Sequence, residues 1–223
     1  MLEIDKSLPK AERILLAAED VFSRKGYVQS TLDEIIKLAD TGKGTVYKYF
    51  QSKDNLFYVL IKRKNESFVA ALQKIILTEG TIHQKLAAYL ETMIIFFTAN
   101  STLWQILFYE RTGGSRGWHM VKDEEGKPNI VVSWGAQPSE EEAEQTQRYF
   151  EIIFSSISLL EQLLDEGVAQ GIIKGDRKMS IPAGNLYGGL AMTMFHGKEE
   201  QEEDPRALAQ LITDRFLYGH AKV

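Results

Sequence analysis

Between Thr41 and Lys53 the chain sets Lys43, Thr45, Tyr47, Lys48, Tyr49 and Lys53 close together, with only Val46 and Phe50 among them suited to burial. Ammonium groups neutralise phosphates, and hydroxyl and phenol groups bond to phosphate oxygens or base edges. None of these groups needs a metal or a nucleophile to act, so nucleic-acid binding is the chemistry this stretch offers. Other chemistries fail on spacing. Thr41-Gly42-Lys43-Gly44-Thr45 lacks the phosphate-loop pattern, because Lys37 and Gly44 stand where it needs a glycine and a Ser or Thr. Gly188-Gly189 is no dinucleotide fingerprint. The four histidines (His83, His119, His196, His220) form no ligand-spaced pair, so no metal or other cofactor is expected. The chain has no cysteine, which removes disulfides, thiolate metal sites and a cysteine nucleophile and suits a reducing cytoplasm. No catalytic constellation stands out, so no catalytic residue is assigned.

The stretch needs elements to position it. Leu32, Ile35, Ile36 and Ala39 recur at helical spacing, and Thr31 with Glu34 makes a capping box. Asp40-Thr41-Gly42 interrupts that helix, with Asp40 able to take a left-handed turn conformation and Thr41 a candidate cap for the next helix. That second short helix is expected from about Lys43 to Phe50, with Val46 and Phe50 inward. Ser52 opens a third. Two short helices joined by a tight turn, the second carrying Lys, Thr and Tyr, read as a helix-turn-helix whose second helix enters a major groove. Lys43, Thr45 and Gly42 then lie nearest the base edges.

Gly26-Tyr27, Ser30-Thr31, Ile35, Ala39, Lys43-Gly44-Thr45-Val46-Tyr47, Tyr49-Phe50, Ser52-Lys53-Asp54 and Leu56 resemble the DNA-binding signature of tetracycline-repressor-like (TetR-family) regulators. The chain departs from that pattern at Ile36, Asp40, Thr41 and Gly42, where the family usually has Ala, Gly, an aliphatic residue and Ser. The resemblance implies that Thr31, Tyr47, Tyr49 and Lys53 hold phosphates, beside Gly44 and Lys48 on the same face. With Lys43, Lys48 and Lys53 from each of two subunits, log K falls with log salt at a slope of about −5.

Net charge is −5, yet residues 41–64 hold six basic residues against Asp54 alone, +5, leaving −10 for the remainder. An acidic body with one basic face fits a protein with a single DNA-facing module. Lys62, Arg63 and Lys64 either extend that face or solvate a helix. Met1–Pro9 has no secretory character, and the longest apolar runs are too short for a bilayer, so no membrane partner is expected.

The organisation expected is all-α, with about nine helices. Residues 1–51 form a three-helix DNA-binding domain, and residues 52–223 form a larger helical ligand-binding and dimerisation domain. Leu8–Lys25 supports the helix-turn-helix, and a long helix from Ser52 links the two domains. Ile82–Asn100 and Thr102–Thr112 read as separate helices. Gly113–Pro138, with five glycines, two prolines and strand-like runs at Trp118–Val121 and Ile130–Trp134, reads as a β-hairpin or a partly ordered loop. Three more helices come after it, opened by Ser139, near Ile181 and by Asp204.

Phe68, Phe97, Trp104, Phe108, Tyr109, Trp118, His119, Trp134, Phe150 and Phe154 are the candidate lining of an effector pocket, with Gln105, Glu110 and Arg111 as polar partners. The resemblance implies that the last two helices pair with their symmetry mates, through Leu186, Leu190, Met194, Leu208, Ile212 and Phe216. The expectation is a homodimeric transcriptional repressor on a palindromic double-stranded operator, released by a small apolar or aromatic effector. The rival is a small-molecule-binding protein or enzyme with an incidental helix-turn-helix, disfavoured by the missing catalytic constellation.

Overall fold

The computed structural model of the chain describes residues 3–112, 117–122, 128–196 and 203–220. Helix α1 (Lys10–Lys25) buries Ile14, Ala17, Ala18, Val21 and Phe22 on one face. It stops at Gly26, whose φ of 76° and ψ of 175° fall in a region essentially closed to residues with a Cβ. Helix α2 (Leu32–Leu38) carries both halves of the expected capping box. The Glu34 N–H donates to Thr31 Oγ1 at 3.3 Å, and the Thr31 N–H donates to Glu34 Oε2 at 3.2 Å. Asp40 makes the turn at φ 49°. Helix α3 (Lys43–Phe50) then buries Val46 and Phe50 and leaves its other faces to solvent. The cap expected from Thr41 does not form. Gly42 is the N-cap and supplies no side-chain acceptor, while Thr41 Oγ1 is buried without a hydrogen-bond partner.

Helix α4 (Lys53–Leu77) starts where Ser52 Oγ accepts from the Asn55 N–H at 3.0 Å. Helix α5 (Ile82–Ile106) starts with a reciprocal Thr81–Gln84 cap. The two helices expected across residues 82–112 run on as one. Their break survives as a kink at Asn100 (φ −123°, ψ 19°), whose side-chain amide donates to Phe96 O at 2.8 Å. Beyond Ile106 the chain continues as a π-helical turn, Leu107–Arg111, closed by the Thr112 N–H donating to Leu107 O. The described residues thus form eight α-helices and one π-helical turn.

An antiparallel hairpin comes next, β1 (Gly117–Lys122) on β2 (Pro128–Trp134), with His119 opposite Val131. It resolves the Gly113–Pro138 alternative in favour of a hairpin; residues 113–116 and 123–127 lie outside the described set. Helix α6 (Glu140–Ala169) opens on the reciprocal Ser139–Glu142 cap. Helix α7 (Ser180–His196) and helix α8 (Pro205–His220) close the chain, the last capped by Asp204 Oδ2 accepting from the Ala207 N–H.

By length and composition, Ile82–Arg111 suffices to cross a bilayer, although polar residues interrupt its apolar runs. Ile82, Leu86, Tyr89, Leu90, Met93 and Phe97 form the face of this helix that is completely buried within the protein, while Ile95 is exposed.

The chain divides into two compact units, residues 1–65 with 102–149 and residues 66–101 with 150–223. Beside the expected 51/52 boundary, this division adds α4 up to Asn65 and residues 102–149 to the N-terminal helices. In the first unit Phe22, Tyr27 and Phe57 form an aromatic cluster at 5.1–5.8 Å, extended by Tyr149. In the second unit Phe68 stacks on Phe96 at 4.0 Å, and Phe97 meets Tyr187 and Phe195 edge-on. There Lys85 pairs with Glu166 at 2.9 Å, and the buried Tyr89 hydroxyl donates to Ser156 O.

Of the six α7 and α8 side chains expected at a dimer interface, three are turned inward. Leu190, Met194 and Phe216 are buried within a single chain, so they have little surface left for a partner, while Leu186, Leu208 and Ile212 are half-buried. The apolar side chains these helices leave outside are Ile181, Met192, Leu211 and Tyr218.

Candidate nucleic-acid interface

On α3 the exposed residues are Gly42 at the cap, Lys43, Gly44, Tyr47, Lys48 and Tyr49, with Thr45 half-buried and Thr31 exposed on α2. Tyr47 and Tyr49 are 45% and 51% exposed, so neither is a packing residue of the module. Val46 and Phe50 fix the rotation of α3, and that rotation turns Lys43, Tyr47 and Lys48 outward together. Lys43 Nζ lies 5.9 Å from the Tyr47 ring centre and 3.9 Å from Asp33 Oδ1, contacts too loose to hold it away from a phosphate.

Charge around this face is arranged by residues distant in sequence. Lys6 Nζ stands 2.8 Å from Asp40 Oδ2 and holds that carboxyl below the usual carboxylate range. The one acid at the α2–α3 turn is therefore already paired, through a lysine that its place in the sequence does not single out. Arg63 pairs with Glu12, and Lys64 with Glu19 at 2.6 Å, so both tie α4 to α1 instead of extending the basic face.

Lys53 has a different occupation from the one expected. Its ammonium donates to Tyr27 O and Ser30 O, both at 2.9 Å, and lies 4.4 Å from the Tyr27 ring centre. Burial, reinforced by the charge of Arg111, pulls its pKa down. Two of its three N–H donors are spent on the α1–α2 connector. Beside it the Arg111 guanidinium pairs with Asp54, both side chains less than one-fifth exposed, and lies 4.3 Å from the Tyr27 ring centre. The Tyr27 hydroxyl approaches Asp54 Oδ1 at 3.4 Å, and burial raises its pKa. Glu110 Oε2 accepts from the Val28 N–H at 2.9 Å. Glu110 and Arg111, expected as polar partners of an effector, are thus engaged with the DNA-binding helices. Their partners lie more than fifty residues away, and nothing in the local sequence announces them.

The candidate pocket residues fall in both units. Phe68, Phe97, Phe150 and Phe154 belong to the second, where Phe150 stacks on Phe154 at 6.1 Å. Trp104, Phe108, Tyr109 and Trp134 belong to the first; Trp104 is buried, while Tyr109 and Trp134 are 50% and 61% exposed. The side chains of Trp118 and His119 lie outside the described residues. A groove of about 500 Å³ in the second unit, lined by Ile75, His83, Ala88, Glu91, Arg206 and Gln210 among others, includes none of the ten. No group of metal-ligating side chains occurs among the described residues.

A capped helix, a tight left-handed turn and a second helix with an outward Lys/Tyr face define a helix-turn-helix DNA-binding module within a helical protein. Residues 14–59 match the family model described as bacterial regulatory proteins, tetR family. The fatty acid metabolism regulator protein of Bacillus subtilis is 23% identical over 212 residues, 95% of each chain. The HTH-type transcriptional activator FasR of Mycolicibacterium smegmatis is 30% identical over 104 residues, 45% of this chain and 48% of that protein. The fold is shared with the crystal structure of the transcriptional regulator FadR from Bacillus subtilis in complex with stearoyl-CoA, at a TM-score of 0.71 and 22% identity, covering 93% of this chain and 98% of that one. Residues 14–59 carry the DNA-binding domain of the TetR family, and the chain is a DNA-binding transcriptional regulator. These relatives are transcriptional regulators, not enzymes.

Proposed function

We propose that the protein acts as a homodimeric repressor on a palindromic operator, with residues 1–51 as the DNA-binding part and the helices beyond as the ligand-binding and dimerisation part. The outward face of α3 carries this reading: Lys43 and Thr45 nearest the base edges, with Thr31, Tyr47, Lys48 and Tyr49 on the phosphates. Ile181, Met192 and Leu211 supply the apolar surface for pairing α7 and α8 with a second copy. Release occurs when an apolar effector, bound among the aromatic side chains of the helical part, favours an arrangement in which the two copies of α3 no longer match half-sites about 34 Å or a multiple apart. Effector and operator then weaken each other's binding by the same factor.

Because the similar FadR was crystallised with stearoyl-CoA, a long-chain acyl thioester is the effector class to test first. The experiment is selection of retained sequences from random duplex DNA, with subsequent titration of the protein–operator complex with stearoyl-CoA. Enrichment of a palindrome and its release by the thioester support the reading. A folded protein that enriches nothing at low salt overturns it. A palindrome whose affinity stays constant at saturating thioester removes that effector class.

A further inference from the structure

The π-helical turn at Leu107–Arg111 does two things that a plain continuation of α5 would not. Such turns insert a residue, re-aim the side chains beyond it, and are found frequently at functional sites. Here the re-aimed residues are Glu110 and Arg111. Glu110 spends one carboxylate oxygen on the Val28 N–H and lays the other against Gly26, so closely that a Cβ there would sit 2.6 Å from it. Arg111 pairs with Asp54 in the first turn of α4 and covers the Tyr27 ring. The two residues therefore grip the module at two points, the α1–α2 connector and the start of α4, one on either side of the helix-turn-helix in the chain. With Lys53 and Asp54 they make two cations and two anions, so the part-buried cluster closes with no net charge.

We propose that Glu110 and Arg111 are positioning residues for operator recognition: they touch no DNA, but hold the connector and the first turn of α4 so that α3 is presented at the angle its operator requires. The inference rests on the operator-binding reading above. Sequence-specific binding needs that angle, because base-edge contacts tolerate little misplacement. Non-specific binding does not, because phosphates are met by mobile lysines wherever the face lands. Loss of a positioning residue therefore lowers the ratio of operator to random-duplex affinity, whereas mere loss of folded protein lowers both together.

The test uses the full-length chain carrying Glu110→Ala, Glu110→Gln or Arg111→Ala, with affinities for the selected operator and for a random duplex measured at one salt concentration, well below each variant's melting temperature. Glu110→Ala and Arg111→Ala are expected to weaken operator binding about tenfold, or about 1.4 kcal/mol, with random-duplex binding unchanged. Glu110→Gln, whose amide oxygen still accepts from the Val28 N–H, is expected to recover most of the loss. Equal losses on both DNAs, no loss on either, or a Glu110→Gln variant as poor as Glu110→Ala each overturn the assignment. A wild-type protein that prefers no sequence overturns the operator reading and this inference with it. An operator-binding wild type with unaltered variants overturns this inference alone.

Discussion

Replacing Lys53 by Met separates the role the structure gives this lysine from the role its place in the motif implies. Met keeps an apolar stem of similar length and removes the ammonium. Two charge-assisted hydrogen bonds at 2.9 Å disappear, together with a cation over the Tyr27 ring at 4.4 Å. Bonds to charged groups contribute roughly 1.5–3 kcal/mol each and a cation–π contact about 0.5–1. Against this stands the cost of partly burying an ammonium, visible in its lowered pKa, and the freed carbonyls regain some water. A net loss of about 2 kcal/mol is therefore expected. For a chain of this size that corresponds to a melting temperature lower by roughly 4–8 °C.

For DNA binding the expectation is the reverse. If only Lys43 and Lys48 of each protomer bring a cation to the DNA, whether at base edges or phosphates, a dimer displaces about four counterions' worth of charge, and log K falls with log salt at a slope of about −3.6 instead of about −5. Lys53→Met should leave that slope where it is. The assays are thermal unfolding monitored by circular dichroism, and fluorescence-anisotropy titration of a labelled duplex at four or five salt concentrations. A variant that melts like the wild type while its slope shrinks by about 2 would refute the reasoning, because Lys53 would then be reaching phosphates and its contacts to Tyr27 and Ser30 would be incidental.

Other perturbations test the remaining assignments. Asp40→Asn removes the acid at the α2–α3 turn and releases Lys6 toward the phosphates; random-duplex affinity at low salt should rise about threefold, an increase that high salt abolishes and that an anisotropy titration detects. Met192→Glu, on the outward side of α7, should shift sedimentation toward a monomer without lowering the melting temperature of the protomer. Leu190→Ala, on the inward side, should cost about 2–5 kcal/mol of stability instead. Burial pushes the phenols of Tyr89 and Tyr149 up, that of Tyr149 to about 12. A raised folded-state pKa means stability that is fully present below about pH 10, where the unfolded phenol titrates, and is lost as pH climbs toward 12. Denaturant midpoints measured between pH 9 and 12 should fall, and Tyr149→Phe should flatten the decline.

How much of the fold and of the interface is legible in the sequence depends on the range of the interaction. Thr31–Glu34, Ser139–Glu142 and Asp204 place cap and capped residue within one helical turn, so the residue types alone locate those helix starts. Val46 and Phe50 are the apolar pair on an otherwise polar helix, which sets the rotation of α3 without ambiguity. Helix α7 offers no such phase. It is apolar nearly all round, so Leu190 and Met194, which face the core, look the same in sequence as Met192, which does not. The expected break near residue 101 is real as a kink, but Asn100 bonding back to Phe96 lets the helix resume. Lys53, Glu110 and Arg111 mislead for one reason: their charges are matched by groups that only the folded chain brings near, and a lysine in a basic motif looks free until its acceptors are in place. Lys6 escapes notice on the same ground.

Gly26 carries an evolutionary consequence. Its backbone lies in a region that a Cβ essentially closes, and the space a side chain would need is held by the Glu110 carboxylate. A lineage that lost this glycine would have to reshape the connector and vacate the carboxylate's place together, since either change alone leaves strain or an unmet Val28 N–H. Positions 26 and 110, eighty-four residues apart, should therefore vary as a pair among related regulators. A glutamate at the second with a side chain at the first should be a combination that natural sequences avoid.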